Sequence, residues 1–185
     1  MTALETITLL RRSVDGETVV GVSFEGLDLS LENLDAVRVE DCSFTGALLR
    51  GTSFCDASLL ECKLLALEAE GAAFEGSALT WCVFNDARLR NASFVRAKLF
   101  DCHVLDAMLD GAEFDGASLI DCQFAGSSLV GARFINANCQ STSFRDADLT
   151  DADFTGADLT GARFAGAVLE GVIWKDAILT GATFA

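Results

Sequence analysis

Residues 147–161, Ala-Asp-Leu-Thr-Asp-Ala-Asp-Phe-Thr-Gly-Ala-Asp-Leu-Thr-Gly, contain one five-residue pattern three times. Each unit reads small, variable, large apolar, variable, turn-former. Side chains two apart on an extended strand point the same way, so the Ala and the large apolar residue face one side and their neighbours face the other. The Gly or Asp then supplies a corner, because these residues tolerate tight-turn backbone conformations. One such unit cannot bury its apolar side alone, so the pattern predicts a chain that coils.

The same register runs from Val22 to the last residue without an insertion. The large apolar centres are the residues whose numbers end in 4 or 9, which gives 33 centres from Phe24 to Phe184. Of these, 28 are Phe or Leu, and 13 of the 14 Phe residues are centres. Leu67 and Ala69 exchange the small and large positions of one unit, which conserves interior volume. Glu32 occupies an inward position and predicts a distorted or solvent-accessible first coil.

These units resemble the pentapeptide-repeat family, whose unit is a small residue, Asp or Asn, Leu or Phe, a polar residue and Gly. The resemblance covers residues 22–185 and implies an all-β fold, a right-handed quadrilateral β-helix with four units per coil. Residues 20 apart then stack, and 33 centres make about 8 coils, a rod roughly 40 Å long at ~4.8 Å per coil. Centres sorted at this interval form two columns rich in Phe and two rich in Leu, which supports the implied coil.

The two ends of the rod call for separate interpretations. We assign residues 1–21 to an N-terminal cap and residues 22–185 to the β-helix. Thr2 and Glu5 match a capping box, and Gly16 could close a short helix; a hairpin around Asp15-Gly16 is the alternative. An uncovered last coil would expose strand edges. We therefore expect either a chain that continues or an end-to-end homodimer with contacts at Trp174 and Phe184.

Charge and composition restrict the partners. The formal net charge is −15 and the sequence pI is about 4.2, which disfavours nucleic acid and anionic membranes and favours a protein partner with a basic surface. No apolar run is long enough to span a membrane, and no signal peptide is recognisable. Seven cysteines without paired spacing favour reduced thiols. We expect a cytoplasmic protein.

The cysteines and the single histidine are the candidates for chemistry. Five cysteines spaced by 20 form one inward column, the cysteine ladder: Cys42, Cys62, Cys82, Cys102 and Cys122. A straight column does not converge four ligands on a metal, so we interpret these thiols as small apolar fillers. Cys55 faces outward and is the thiol expected to react, while His103 is expected on the surface without a nucleophile beside it. We predict no enzymatic activity, no metal and no cofactor.

Two sets of outward residues are candidates for a binding surface. We name the first set the apolar strip; it consists of Leu60, Leu65, Trp81, Val83, Phe100, Leu105 and Ile120. A contiguous exposed apolar patch of this kind marks an interaction surface. We name the second the acidic ladder, because its members share one corner column with Trp81; it consists of Asp41, Glu61, Asp101 and Asp121.

The sequence favours a non-enzymatic scaffold or adaptor that binds a protein. For one group of family members, the resemblance implies an alternative, an acidic DNA mimic that occupies DNA gyrase and protects against quinolones. Duplex DNA carries about one charge per ~1.7 Å, or roughly 24 along 40 Å, against −15 here. The chain also lacks the projecting loops and C-terminal helix of that group. The sequence leaves the partner, the pathway and the oligomeric state open.

Overall fold

The computed structural model describes Glu5, residues 7–10 and residues 16–185. The chain winds into a coil whose six named strands form one parallel sheet in sequence order: β1 (Val19–Val20), β2 (Arg38–Glu40), β3 (Ser58–Leu60), β4 (Ala78–Thr80), β5 (Lys98–Phe100) and β6 (Ser118–Ile120). Each strand pairs with the next in a register of 20 residues, as in Leu59 with Leu79. Four units therefore complete one coil, as the resemblance implies.

The strands β1 to β6 span five turns, fewer than the eight or so coils that the repeat count predicts. On the other three sides of the coil each unit contributes a single bridge, because only one residue lies extended between two corners. These bridges keep the 20-residue register from Ser23↔Ser43 to Arg163↔Thr183. We number the sides 1 to 4 by their centres, starting from Phe24, Leu29, Leu34 and Val39, so that β1–β6 lie on side 4.

The corners share one backbone conformation. The last residue of each unit has positive φ, whether it is glycine, as at Gly71 (67°), or not, as at Asp86 (60°). Most corners close with a bond from the next unit's N–H to the centre's carbonyl oxygen, for example Ala97 to Phe94 at 3.0 Å. Positive φ at the third residue of such a turn is the type II geometry, which favours Gly and Asn.

The inward side chains fill the coil. Phe rings of side 3 stack at 4.5–5.2 Å from Phe54 to Phe154, and they meet the rings of side 1 edge-on, as for Phe84 and Phe94 at 6.4 Å. Offset stacking and edge-to-face contact are the preferred geometries of aromatic pairs. Leu67 and Ala69 are both fully buried, so both face the core, as the exchange of small and large positions predicts.

The two ends differ from the middle. Glu32, Val22 and Leu27 are half-buried at inward positions, so the first coil is solvent-accessible as expected. Glu5 and residues 7–10 are helical, and Leu10 is fully buried against the core. Thr2 and Asp15, on which the capping box and the hairpin depend, lie outside the described residues.

Candidate protein-binding surface

The structure places the apolar strip on side 4, the following corner and side 1. Leu60, Phe100 and Ile120 are neighbours in the parallel register of side 4, with Thr80 between the first two. Trp81 and Phe100 are 49% and 45% exposed. The other five members, Leu60, Leu65, Val83, Leu105 and Ile120, are half-buried. The exposed part of the strip is therefore centred on one tryptophan and one phenylalanine.

Trp81 and the acidic ladder share one edge of the rod, the corner between sides 4 and 1. We name it the Trp81 edge; it consists of Asp41, Glu61, Trp81, Asp101 and Asp121. Each N–H of the edge donates to a carbonyl oxygen one coil on, as from Glu61 to Thr80 at 2.9 Å and from Asp101 to Ile120 at 3.2 Å. The five residues therefore form one column along the rod axis, with a spacing of ~4.8 Å per coil.

This edge contains no glycine through six consecutive coils, from Asp41 to Ser141. All six residues nevertheless have positive φ, including Trp81 at 54°. A left-handed backbone costs an L-residue about 1–2 kcal/mol, and a bulky side chain is uncommon there. The fold alone would favour Gly or Asn, so the backbone conformation does not account for a half-exposed Trp81 at this corner.

The carboxylates of the acidic ladder are not engaged within the described chain, where none of the four takes part in an ion pair or a side-chain hydrogen bond. Some carboxylates on other sides are engaged: Arg90 Nε lies 2.8 Å from Asp110 Oδ2, and Arg50 pairs with Glu68. Lys63 and Lys98 lie on the sides that adjoin the edge and form no ion pair with it. The edge keeps its negative charge available.

The cysteine ladder lies directly inside this edge, since each of its members follows a residue of the edge in sequence. The corners after Val39, Leu59, Leu79 and Leu99 lack the closing N–H bond seen at most other described corners. At the first three of these corners a thiol of the next coil instead donates to the open carbonyl oxygen, as Cys82 Sγ does to Leu59 O at 3.4 Å. Cys102 binds Leu79 O in the same way at 3.4 Å. We call a corner without the turn N–H bond a wide corner. At these three corners a thiol donates to the centre's carbonyl oxygen in place of the turn N–H.

The thiol environment is apolar. All five ladder cysteines and Cys139 are buried, whereas Cys55 is half-buried. Burial raises the pKa of the Cys42 and Cys139 thiols, and hydrogen bonding with neighbouring thiols, followed by burial, raises that of Cys82. No group of three or more His, Cys, Asp or Glu in the described part of the chain is arranged to hold a metal. Half-buried His103 pairs with Val83 and Gln123 in the side 1 bridges.

The C-terminal coil exposes a second apolar surface. Its outward residues Val168, Ile173 and Ile178 are 48%, 47% and 50% exposed. One coil earlier, the same three positions hold Asp148, Asp153 and Asp158. Phe184 is exposed, and Trp174 is half-buried against the core. Sequence reasoning identified Trp174 and Phe184 but missed the outward three, although the change from Asp to Val or Ile at 20-residue spacing was visible.

Family profiles match most of the chain. The profile described as "Pentapeptide repeats (8 copies)" matches residues 33–65 and 70–104, and the "Pentapeptide repeat region" profile matches residues 97–174. Together with the 20-residue register, these matches show that the chain belongs to the pentapeptide-repeat family. No curated protein matches it significantly.

Solved structures share the coil. A trypsin-treated, singly substituted form of QnrB1, a plasmid-mediated fluoroquinolone resistance protein, aligns with a TM-score of 0.73 and 16% identity over 89% of this chain and 82% of its own. HetL from the cyanobacterium Nostoc sp. strain PCC 7120, involved in heterocyst differentiation regulation, aligns with a TM-score of 0.53 and 26% identity over 89% and 86%. The QnrB1 identity is low enough that its likeness shows the fold alone. No helix within the described residues is long and apolar enough to cross a membrane.

Proposed function

We propose that this chain is a non-enzymatic scaffold or adaptor, acting in the cytoplasm, that binds a protein with a basic surface through the apolar strip and the acidic ladder. The observation that carries the proposal is the coincidence, on one edge, of a half-exposed Trp81 with carboxylates that have no side-chain partner among the described residues. Aromatic residues anchor interfaces, and unpaired charges around them select the partner's sign. The packed coil interior supports binding on the outside of the rod.

The test is affinity capture from the native host followed by reconstitution with the purified partner. Trp81→Asp with Phe100→Asp should abolish binding, because both exposed aromatic anchors are lost. The matched control is Met108→Asp with Val130→Asp, two half-buried outward apolar residues on side 2. A reconstituted partner that binds both double variants as tightly as the parent chain would overturn the proposal.

A second candidate is the DNA-mimicking gyrase ligand that protects against quinolones. The net charge of −15 on an extended coil supports it. Against it, the described coils from Ser23 to Thr183 keep one register without an inserted loop. Supercoiling assays with purified gyrase, with and without a quinolone, separate the two functions. Inhibition or protection at micromolar protein would favour mimicry, and no effect would favour the scaffold.

A further inference from the structure

We propose that the Trp81 edge binds an arginine side chain, carried on an apolar segment of the partner, with the guanidinium group over the Trp81 indole and between Glu61 and Asp101. This inference rests on the proposed function, because it specifies what the strip and ladder recognise.

The first step is the order of the three residues along the rod. Glu61, Trp81 and Asp101 occupy the same corner of three successive coils, at a backbone spacing of ~4.8 Å. Their N–H groups all donate to the following coil, which fixes the order. The indole is therefore flanked along the axis by one carboxylate on each side.

The second step is that the site is accessible. The Trp81 indole is half-exposed and makes no ring-to-ring contact with another aromatic side chain in the described part of the chain. Elsewhere a corner carboxylate or amide can fold over a glycine of the next coil: Oδ1 of Asp56 lies 2.5 Å from where a Cβ of Gly76 would be, and Oδ1 of Asn91 lies 2.6 Å from that of Gly111. On the Trp81 edge the next corner always carries a side chain, so that space is taken; Asp41, Glu61 and Asp121 are exposed and Asp101 is half-buried.

The third step is the chemistry of the ligand. A cation over an indole face is attracted by the ring, and arginine is the cation most often found there. Its planar, weakly hydrated guanidinium can stack and still donate to carboxylates at its rim, whereas the lysine ammonium is a compact, strongly hydrated charge. Phe100 and Leu60, beside the edge on side 4, offer apolar contact to residues flanking the arginine. An acidic or phosphorylated segment would be repelled.

The experiment follows the Trp81 indole N–H signal by heteronuclear NMR in the Trp174→Phe protein. Phe replaces Trp174 conservatively, because the same column carries Phe from Phe54 to Phe154. Two blocked peptides are titrated to millimolar concentration: one arginine flanked by leucines, and the same peptide with neutral citrulline. We expect a saturable shift with the arginine peptide and at least about fivefold weaker binding of the citrulline peptide.

Variants separate the parts of the site. Glu61→Gln with Asp101→Asn should weaken binding of the arginine peptide toward the level of the citrulline peptide and reduce its salt dependence, while Asp56→Asn, a corner aspartate on another edge, should change neither. Equal affinity for the arginine and citrulline peptides would overturn the arginine site and would mean that the surface recognises apolar residues alone. Absence of any Trp81 shift with either peptide would also overturn it. The proposed function is judged separately by the reconstituted partner.

Discussion

The backbone N–H of Trp81 donates a hydrogen bond to the carbonyl oxygen of Phe100 at 3.1 Å. This bond joins two successive coils at the corner where side 4 ends, and it holds together the backbones of the two residues with the most exposed side chains of the apolar strip. The surface proposed for binding is therefore held by the same ladder of bonds that holds the fold. Its shape is set before a partner arrives, which lowers the entropic cost of binding.

Phe94→Ala tests the inward assignment. Phe94 is 2% exposed and stacks on Phe74 at 4.9 Å and on Phe114 at 5.0 Å, so its loss leaves a cavity and should cost about 3–5 kcal/mol. Ser93, next to it, faces outward and donates to Glu75 at 3.0 Å. Ser93→Ala should cost about 1 kcal/mol or less. Urea unfolding of both variants measures this, and equal losses would contradict the assignment.

Thiol labelling tests the cysteine ladder. Cys82 and Cys102 are fully buried, so a thiol reagent should modify them slowly in the folded protein, whereas half-buried Cys55 should react first. Mass spectrometry of digested samples over time gives the rate at each site. Unfolding in denaturant is the control, since all seven thiols should then react alike. Rapid labelling of Cys82 in the folded protein would show that the ladder is open to solvent.

Replacement of one ladder thiol tests its role at the wide corner. Cys82→Ala removes the donor to Leu59 O and leaves a small void, so we expect a loss of about 1–2 kcal/mol. Cys82→Ser should be milder, because inward hydroxyls already serve such corners: Ser127 Oγ donates to Val104 O at 2.6 Å. Thermal unfolding of the two variants decides the point. Serine as damaging as alanine would mean that the thiol only fills space.

The carboxyl of Asp158 should make stability depend on pH. The hydroxyl of Thr160 and then the amide of Gln140 hold the pKa of Asp158 below its ordinary value of 3.8. A lowered folded pKa contributes stability above the unfolded value, and this contribution disappears as pH falls through the folded value. Asp158→Asn should therefore lower the melting temperature at pH 7, by an amount that shrinks below pH 3.8. A difference that is constant with pH would contradict this.

Assembly through the C-terminal coil is the last prediction. We expect an end-to-end homodimer there, because Val168, Ile173 and Ile178 form an exposed apolar surface on the last coil. Replacing all three by Asp reproduces the residues of the coil before, so the fold should tolerate the change while the dimer dissociates. Light scattering gives the mass, with Trp81→Asp and Phe100→Asp as the control that should stay dimeric. Dissociation by the control pair alone would show that the two surfaces were assigned the wrong way round.

The sequence predicted what depends on side-chain direction. Alternation along a strand and the 20-residue interval were enough to place Phe94 and Cys82 inside and Trp81 and Phe100 outside, as the structure has them. The sequence could not predict which corners close with the turn hydrogen bond. Val39 and Phe94 are both apolar centres, yet the corner after Phe94 has this bond and the corner after Val39 lacks it. That difference depends on how coils stack. Thr80, which lies between Leu60 and Phe100 in the register of side 4, interrupts the strip that the sequence predicted as contiguous.

The unbroken register has a consequence for how such a chain can change length. An insertion of five residues after Trp81 would preserve every apolar centre and every corner, yet it would rotate everything that follows by a quarter turn. Asp101 and Asp121 would then lie on a different edge from Glu61. Only whole coils of 20 residues can be gained or lost without dividing the surface. The pattern of centres and corners thus repeats every five residues, whereas the binding face repeats only every 20, and the number of residues between two members of the face decides whether they share an edge.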